Sequence, residues 1–256
     1  MWRLGLAGVA ACGRIGFGNV GPNDGPSDVV RGDGREDAID AGISVVLVSD
    51  DFERTVANGW GSADIGGPWE IFNPDTSAVD VSDGRGHVAL SGASGYADFN
   101  VKGTAALDTD TSATVSFDTV PATASYTATV SARWVMDGTD YRLHVDVLSG
   151  GALDVLLEAG GSDGYTTLAT ATTSIVVTAT TTLGLSLYAT GASPTALCGK
   201  LWLATAAEPS ACTVSVTDST QDLQVPGTSY LVTYDSGAAA PTVSFGAFRF
   251  LRVGPM

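Results

Sequence analysis

The stretch that decides the fold is Tyr126-Thr127-Ala128-Thr129-Val130-Ser131-Ala132-Arg133-Trp134-Val135, followed by Tyr141-Arg142-Leu143-His144-Val145-Asp146-Val147-Leu148 and Leu153-Asp154-Val155-Leu156-Leu157-Glu158-Ala159. Apolar and polar residues alternate, and Asp137-Gly138 and Ser149-Gly150-Gly151 interrupt the alternation where turns belong. Successive side chains of a strand point to opposite faces, so parity assigns each residue to a side. In the first strand Tyr126, Ala128, Val130, Ala132 and Trp134 are expected inside, with Thr127, Thr129, Ser131 and Arg133 opposite. In the second, Tyr141, Leu143, Val145 and Val147 face the core and Arg142, His144 and Asp146 share the other side. The third hides Leu153, Val155 and Leu157 and presents Asp154, Leu156 and Glu158.

The loop at 149–151 has the length of a common hairpin type and pairs Leu148 with Ala152. Counting outward sets Asp146 opposite Asp154, His144 opposite Leu156 and Arg142 opposite Glu158. The last pair reads as an ion pair worth at most about 1 kcal/mol if exposed. The facing aspartates require a cation, a proton or Arg133 to relieve them. Arg133, Arg142, His144, Asp146, Asp154 and Glu158 thus form the candidate ligand surface, although a solvated polar face is also what any antiparallel sheet presents.

The alternation recurs at residues 165–173, 182–190, 197–203, 213–217, 230–234 and 242–250, and no window of eleven or more carries a helical stripe. Many short antiparallel strands argue for one β-sandwich or jelly roll. Ahead of them stand Asp50-Asp51-Phe52-Glu53-Arg54-Thr55-Val56-Ala57-Asn58-Gly59-Trp60-Gly61-Ser62-Ala63-Asp64 and Gly66-Gly67-Pro68-Trp69. This block resembles the opening of secreted bacterial and phage domains similar to concanavalin A-like lectins and glucanases, and to laminin-G-like jelly rolls. The resemblance continues through Tyr141-Arg142, Lys200-Leu201-Trp202 and Val243-Ser244-Phe245-Gly246-Ala247-Phe248, and so covers residues 50 to about 253. It implies an all-β, antiparallel, concanavalin A-like sandwich over 43–256. In related sandwiches acids of the first and last strands hold a structural calcium. Asp50 and Asp51 are the candidates here, while Gly246 and Ala247 stand where members often carry the closing Asp.

The N-terminus has a different character. Arg3 precedes the apolar run Leu4 to Ala11, and Val9-Ala10-Ala11-Cys12 resembles the lipobox of bacterial lipoproteins, which implies a signal peptide over 1–11 and a lipidated Cys12. Eight apolar residues fall well short of the roughly 20 that a membrane-spanning helix needs. Residues 12–42 are rich in Gly, Pro and Asp and read as a flexible tether. Within it, Gly16-x-Gly18-x-x-Gly21 matches a dinucleotide pattern, but no strand precedes it and Pro22 and Pro26 block the helix that would follow. The expected location is the cell envelope, with contact to the membrane only through the anchor.

The chain of 256 residues carries a net charge of -16, which disfavours nucleic acid as a partner. The acidity concentrates in residues 50–83, which hold eight acids against Arg54 alone. With Cys12 lipidated, Cys198 and Cys212 remain as an even pair outside the cytoplasm. They are equidistant from residue 205, so a hairpin centred there sets them opposite each other as a disulfide; two unpaired buried thiols are the alternative.

Glucanases of this superfamily place Glu, Asp and Glu at alternating positions of one strand. Here no two glutamates are closer than 17 residues, the spacing of Glu36, Glu53 and Glu70, so that constellation is absent. Gly160-Gly161-Ser162-Asp163-Gly164 fits a nucleophile elbow but joins two strands. Two histidines and a paired cysteine couple cannot build a zinc tetrad. Trp60 and Trp69 read as anchors of the opening motif, and Trp202, alternating with Lys200, as the aromatic platform for stacking. The expectation is a surface lipoprotein with a non-catalytic module whose ligand is a glycan or cell-surface polymer. A polysaccharide hydrolase or lyase using Asp146 and Asp154, or a structural adhesion protein, are the alternatives.

Overall fold

Alternating β-branched and polar residues suit a pleated sheet with one dry face, and the chain builds sixteen strands among its described residues. The structure is a computed structural model that describes residues 44–72, 78–90, 95–136, 138–161, 163–237 and 240–254. The signal, Cys12, the tether and its glycine pattern, and Ser162 lie outside the described residues.

In chain order the strands are β1 (Val45–Asp50), β2 (Val56–Ala57), β3 (Trp69–Phe72), β4 (Val79–Ser82), β5 (Arg85–Ala89), β6 (Tyr96–Val101), β7 (Thr109–Phe117) and β8 (Ser125–Met136). They continue as β9 (Thr139–Leu148), β10 (Leu153–Gly161), β11 (Gly164–Thr172), β12 (Thr182–Thr190), β13 (Thr195–Leu203), β14 (Val214–Asp218), β15 (Tyr230–Asp235) and β16 (Thr242–Arg252). Sheet I has nine strands, ordered β14-β13-β12-β7-β16-β5-β4-β2 with β1 also on β16; sheet II has seven, ordered β11-β10-β9-β8-β15-β6-β3. The paired strands are antiparallel in both sheets, and the two form the expected sandwich.

The core between the sheets takes Val115, Leu185, Leu187 and Phe245 from sheet I and Phe99, Val130, Leu143, Val145, Leu157 and Leu231 from sheet II. An aromatic cluster closes on Trp60, which stacks on Phe99 at 3.7 Å and meets Phe52 and Trp69 edge-on. Gly86 makes this possible, since a Cβ there would lie 2.6 Å from the Trp60 ring. Trp60 and Trp69 are therefore buried anchors, as the opening motif suggested.

Sheet II carries the register read from the sequence: Asp146 faces Asp154, His144 faces Leu156 and Arg142 faces Glu158. The Leu148 amide donates to the Ala152 carbonyl, as the loop length required. Cys198 and Cys212 form a disulfide with Cα atoms 5.4 Å apart. The symmetric pairing about residue 205 is corrected, however: Cys198 faces Ser215 and Gly199 faces Val214, so Cys212 sits just before β14 and the bridge crosses diagonally.

Parity fails near the end of β8. Between Ala132 and Met136 the β8–β9 register shifts, and Arg133 adopts φ 55°. This bulge turns Arg133 inward, where it is fully buried, and rotates Trp134 outward to a half-buried position. Arg133 therefore does not belong to the polar surface, and Trp134 does not belong to the core.

Candidate functional site

The outward side of sheet II holds a cavity of about 480 Å³ lined by Phe72, Tyr96, Asp98, Asn100, Trp134, Gly138, Arg142, Tyr165 and Tyr230. Its residues come from β9, β8, β15, β6 and β3, which the sheet order brings side by side, and from β11 beyond β10. Asn100 faces Tyr230 on one side and Glu70 on the other.

Asp140 organises one wall. Fully buried on β9, it accepts Tyr165 Oη at 2.8 Å, Tyr230 Oη at 3.0 Å and Arg142 Nε at 3.0 Å. The Arg142 guanidinium also donates to Tyr230 Oη and lies 3.7 Å from the Tyr165 ring centroid. Burial pushes the Asp140 carboxyl up, against the pull of Arg142. Burial also works against charge on Arg142, but Asp140 and the two phenols outweigh it and hold its pKa above the ordinary value. Burial, then the Asp140 charge, raises both tyrosines, so their hydroxyls stay protonated as donors. Gly160 opens the space for the Tyr165 ring: a Cβ there would sit 2.7 Å from the ring and 2.2 Å from the Gly138 carbonyl oxygen.

The bulge supplies the other aromatic. Trp134 pairs with Thr228 and meets the Tyr230 ring edge-on at 5.7 Å. What fixes it is Arg133 beneath, whose guanidinium donates to the carbonyls of Leu107, Leu223 and Gly191 and to Thr195 Oγ1. Gly227 is required here, since a Cβ would lie 2.4 Å from the Arg133 backbone. Arg133 therefore positions the site without facing it.

The remaining sequence candidates divide into three places. His144, Asp146 and Glu158 share this face as a second cluster: His144 Nε2 lies 3.2 Å from Asp146 and Nδ1 3.3 Å from Glu158. The expected Arg142–Glu158 pairing is thus corrected, because Arg142 turns to the buried Asp140 and Glu158 is met by His144. Burial disfavours the charged imidazole, but its two carboxylate partners outweigh that and push its pKa up to about 9. Burial would raise Asp146 too, yet His144 and the Thr127 hydroxyl at 2.6 Å hold it below the usual carboxylate range. His144, not Arg133, relieves the Asp146–Asp154 opposition. Asp154 lines a separate depression with Leu156, Thr170, Ala171 and Thr172. Trp202 lies on sheet I, half-buried, its ring on Gly184, and so joins neither group.

Asp50 is fully buried and its oxygens accept Arg54 at 2.6 and 2.7 Å, Trp69 Nε1 at 2.6 Å and the Phe52 amide at 2.8 Å. The Arg54 guanidinium is thus paired with Asp50, while Asp51 is exposed. Among the described residues no group of three or more His, Cys, Asp or Glu is arranged to hold a metal ion. His87 Nδ1 lies 2.7 Å from Ser244 Oγ, but its Nε2 meets the Ser82 carbonyl, and Asp80 takes Ser82 Oγ instead of orienting the ring.

Reading from residue 126 onward missed Asp140, Tyr165 and Tyr230, and all of β6 and β3. The alternation Tyr96-Ala97-Asp98-Phe99-Asn100 was legible there, with Ala97 and Phe99 inward. What the sequence did not carry is that β6 lies beside β15, far along the chain.

No protein-family model and no curated protein matches the chain. Solved structures do match in shape. The CBM2 module of the evolved Dit of Lactobacillus casei BL23 phage J-1 superposes with a TM-score of 0.54 at 10% identity, covering 83% of this chain and 97% of that one. The VIP36 exoplasmic/lumenal domain, in its Ca2+/Man3GlcNAc-bound form, gives 0.53 at 9% identity over 73% of this chain and 85% of its own. The GH43 protein BlXynB of Bacillus licheniformis gives 0.54 at 13% identity, over 80% of this chain and 39% of that one. At such identities what is shared is the fold, a two-sheet antiparallel β-sandwich.

Proposed function

We propose that this protein is a non-catalytic carbohydrate-recognition module, held at the bacterial cell envelope by a lipidated Cys12. The observation that carries the reading is the cavity on sheet II. Its phenol hydroxyls are tied down, Tyr165 and Tyr230 by Asp140 and Tyr96 by Asp98, so the rings are fixed in place before a ligand arrives. Fixed aromatic surfaces with a few convergent polar groups suit a sugar, which has apolar C–H faces and a polar rim. Preorganisation spares the ordering entropy that a flexible site would lose on binding. The similarity to a module named for carbohydrate binding, and to a lumenal domain bound to a mannose-containing glycan, supports the same reading.

A hydrolase built on Asp146 and Asp154 fits less well. A glycosidase needs one carboxyl whose pKa is raised so that it can donate a proton. Asp146, held below the usual carboxylate range by His144 and Thr127, cannot be that acid, and Asp154 lines a depression apart from the cavity. Affinity electrophoresis against xylan, mannan, β-glucan and dextran tests the reading. Retardation by at least one polymer is expected, and Trp134→Ala should weaken it about tenfold, near 1.4 kcal/mol, at an unchanged melting temperature. Retardation by none, or a Trp134→Ala protein that binds like the wild type, would refute it, as would release of sugar products.

A further inference from the structure

Asn100 is only 3% exposed, borders the cavity, and its Oδ1 takes no hydrogen bond from the protein. Directly across the β3–β6 pair, Glu70 Oε2 is likewise buried without a donor. A buried acceptor left without a donor costs stability, so one at the cavity edge with a second on the paired strand beside it is poorly explained by folding alone. They are explained by a ligand that brings donors.

The charges around them decide which kind. Arg142 is paired with Asp140, and Lys102 with Glu70 at 2.6 Å. Asp98 adds a further carboxylate to the cavity wall, on a chain whose net charge is -16. Among the described residues the local balance is therefore negative, and a carboxylate or sulfate entering beside Asn100 meets repulsion with no unmatched cation of theirs to receive it.

We infer that Asn100 is the specificity-determining side chain of this cavity, engaging hydroxyl groups of a neutral sugar unit, and that uronate, sialate and sulfate sugars are rejected. The inference rests on the carbohydrate reading and narrows it. Hydroxyls supply donors without charge, and adjacent hydroxyls of one ring can serve adjacent acceptors. A site built to hydrogen-bond such groups discriminates strongly, because a ligand lacking them leaves its acceptors buried and empty.

Asn100→Leu, close in size, and Asn100→Ala test the role of the side chain. Each is measured by affinity electrophoresis on the neutral polymers above and on polygalacturonate, alginate and chondroitin sulfate, with melting temperature alongside. Binding confined to neutral polymers is expected. Asn100→Leu should lose at least about tenfold in affinity while melting at or above the wild-type temperature, because it removes an unsatisfied buried group. Wild-type affinity in both variants would overturn the assignment. So would a melting temperature lowered by many degrees in both, which marks a structural role. Acidic polymers bound as tightly as neutral ones, with that binding lost in Trp134→Ala, would overturn the neutral class and leave carbohydrate binding intact. Binding abolished by EDTA would replace the hydroxyl contact with a bridging metal ion. Failure of the wild type to bind any polymer would instead remove the carbohydrate reading itself.

Discussion

Arg133 shows how much one backbone torsion can decide. A non-glycine residue at positive φ is sterically costly, and here four groups on three separate segments receive the guanidinium that the torsion turns inward. The consequence for the site is Trp134, placed on the open face by the same turn. His144 is the residue whose charge state can be followed. Its folded pKa of about 9 lies above the ordinary 6.5, so the stability it contributes is fully present below about pH 6.5 and is lost as pH rises through about 9. Wild-type thermal melts from pH 6 to 10 should therefore fall by several degrees relative to His144→Gln, an effect on the order of 2–3 kcal/mol. Parallel curves for the two proteins would show that the Asp146–His144–Glu158 contacts contribute nothing.

At the scale of elements, the β9–β10 hairpin was legible because nothing but parity and loop length was needed. Both strands hide a full row of apolar residues, and a slip of one would turn one row outward, Leu143 and Val145 of β9 or Val155 and Leu157 of β10. The β13–β14 hairpin was legible only in part. Its disulfide followed from two cysteines at a suitable spacing, but the loop is irregular, with Leu201 pairing through the Thr213 hydroxyl, and symmetric counting misplaced the register. Closing this loop is worth about 3 kcal/mol in the chain-entropy model. Cys198→Ser with Cys212→Ser should accordingly lower the melting temperature by roughly 5–10 °C. Because the bridge lies on sheet I, polysaccharide retardation should persist below that temperature; its loss would tie the hairpin to the site.

For the whole molecule, the acidity first read as an exclusion of nucleic acid has a structural side at the opening motif. There Asp50 holds Arg54, Trp69 and the Phe52 amide at the end of the aromatic cluster. The anchoring proposal also belongs to this scale. Cys12→Ser should move the full-length protein from the membrane fraction to the soluble envelope fraction, and unchanged partitioning would remove the lipobox from the account. The all-β class, the sandwich, the faces of β9 and β10 and the disulfide pair were legible in the chain before any fold was known. These depend on period-two patterning and short loops, which are local properties. The site was not legible there. Its walls come from strands far apart in the chain, its central aromatic is turned outward by a bulge that parity cannot foresee, and its ion pairs follow burial: Arg142 is drawn to Asp140 because a buried carboxylate without a partner is far costlier than an exposed one.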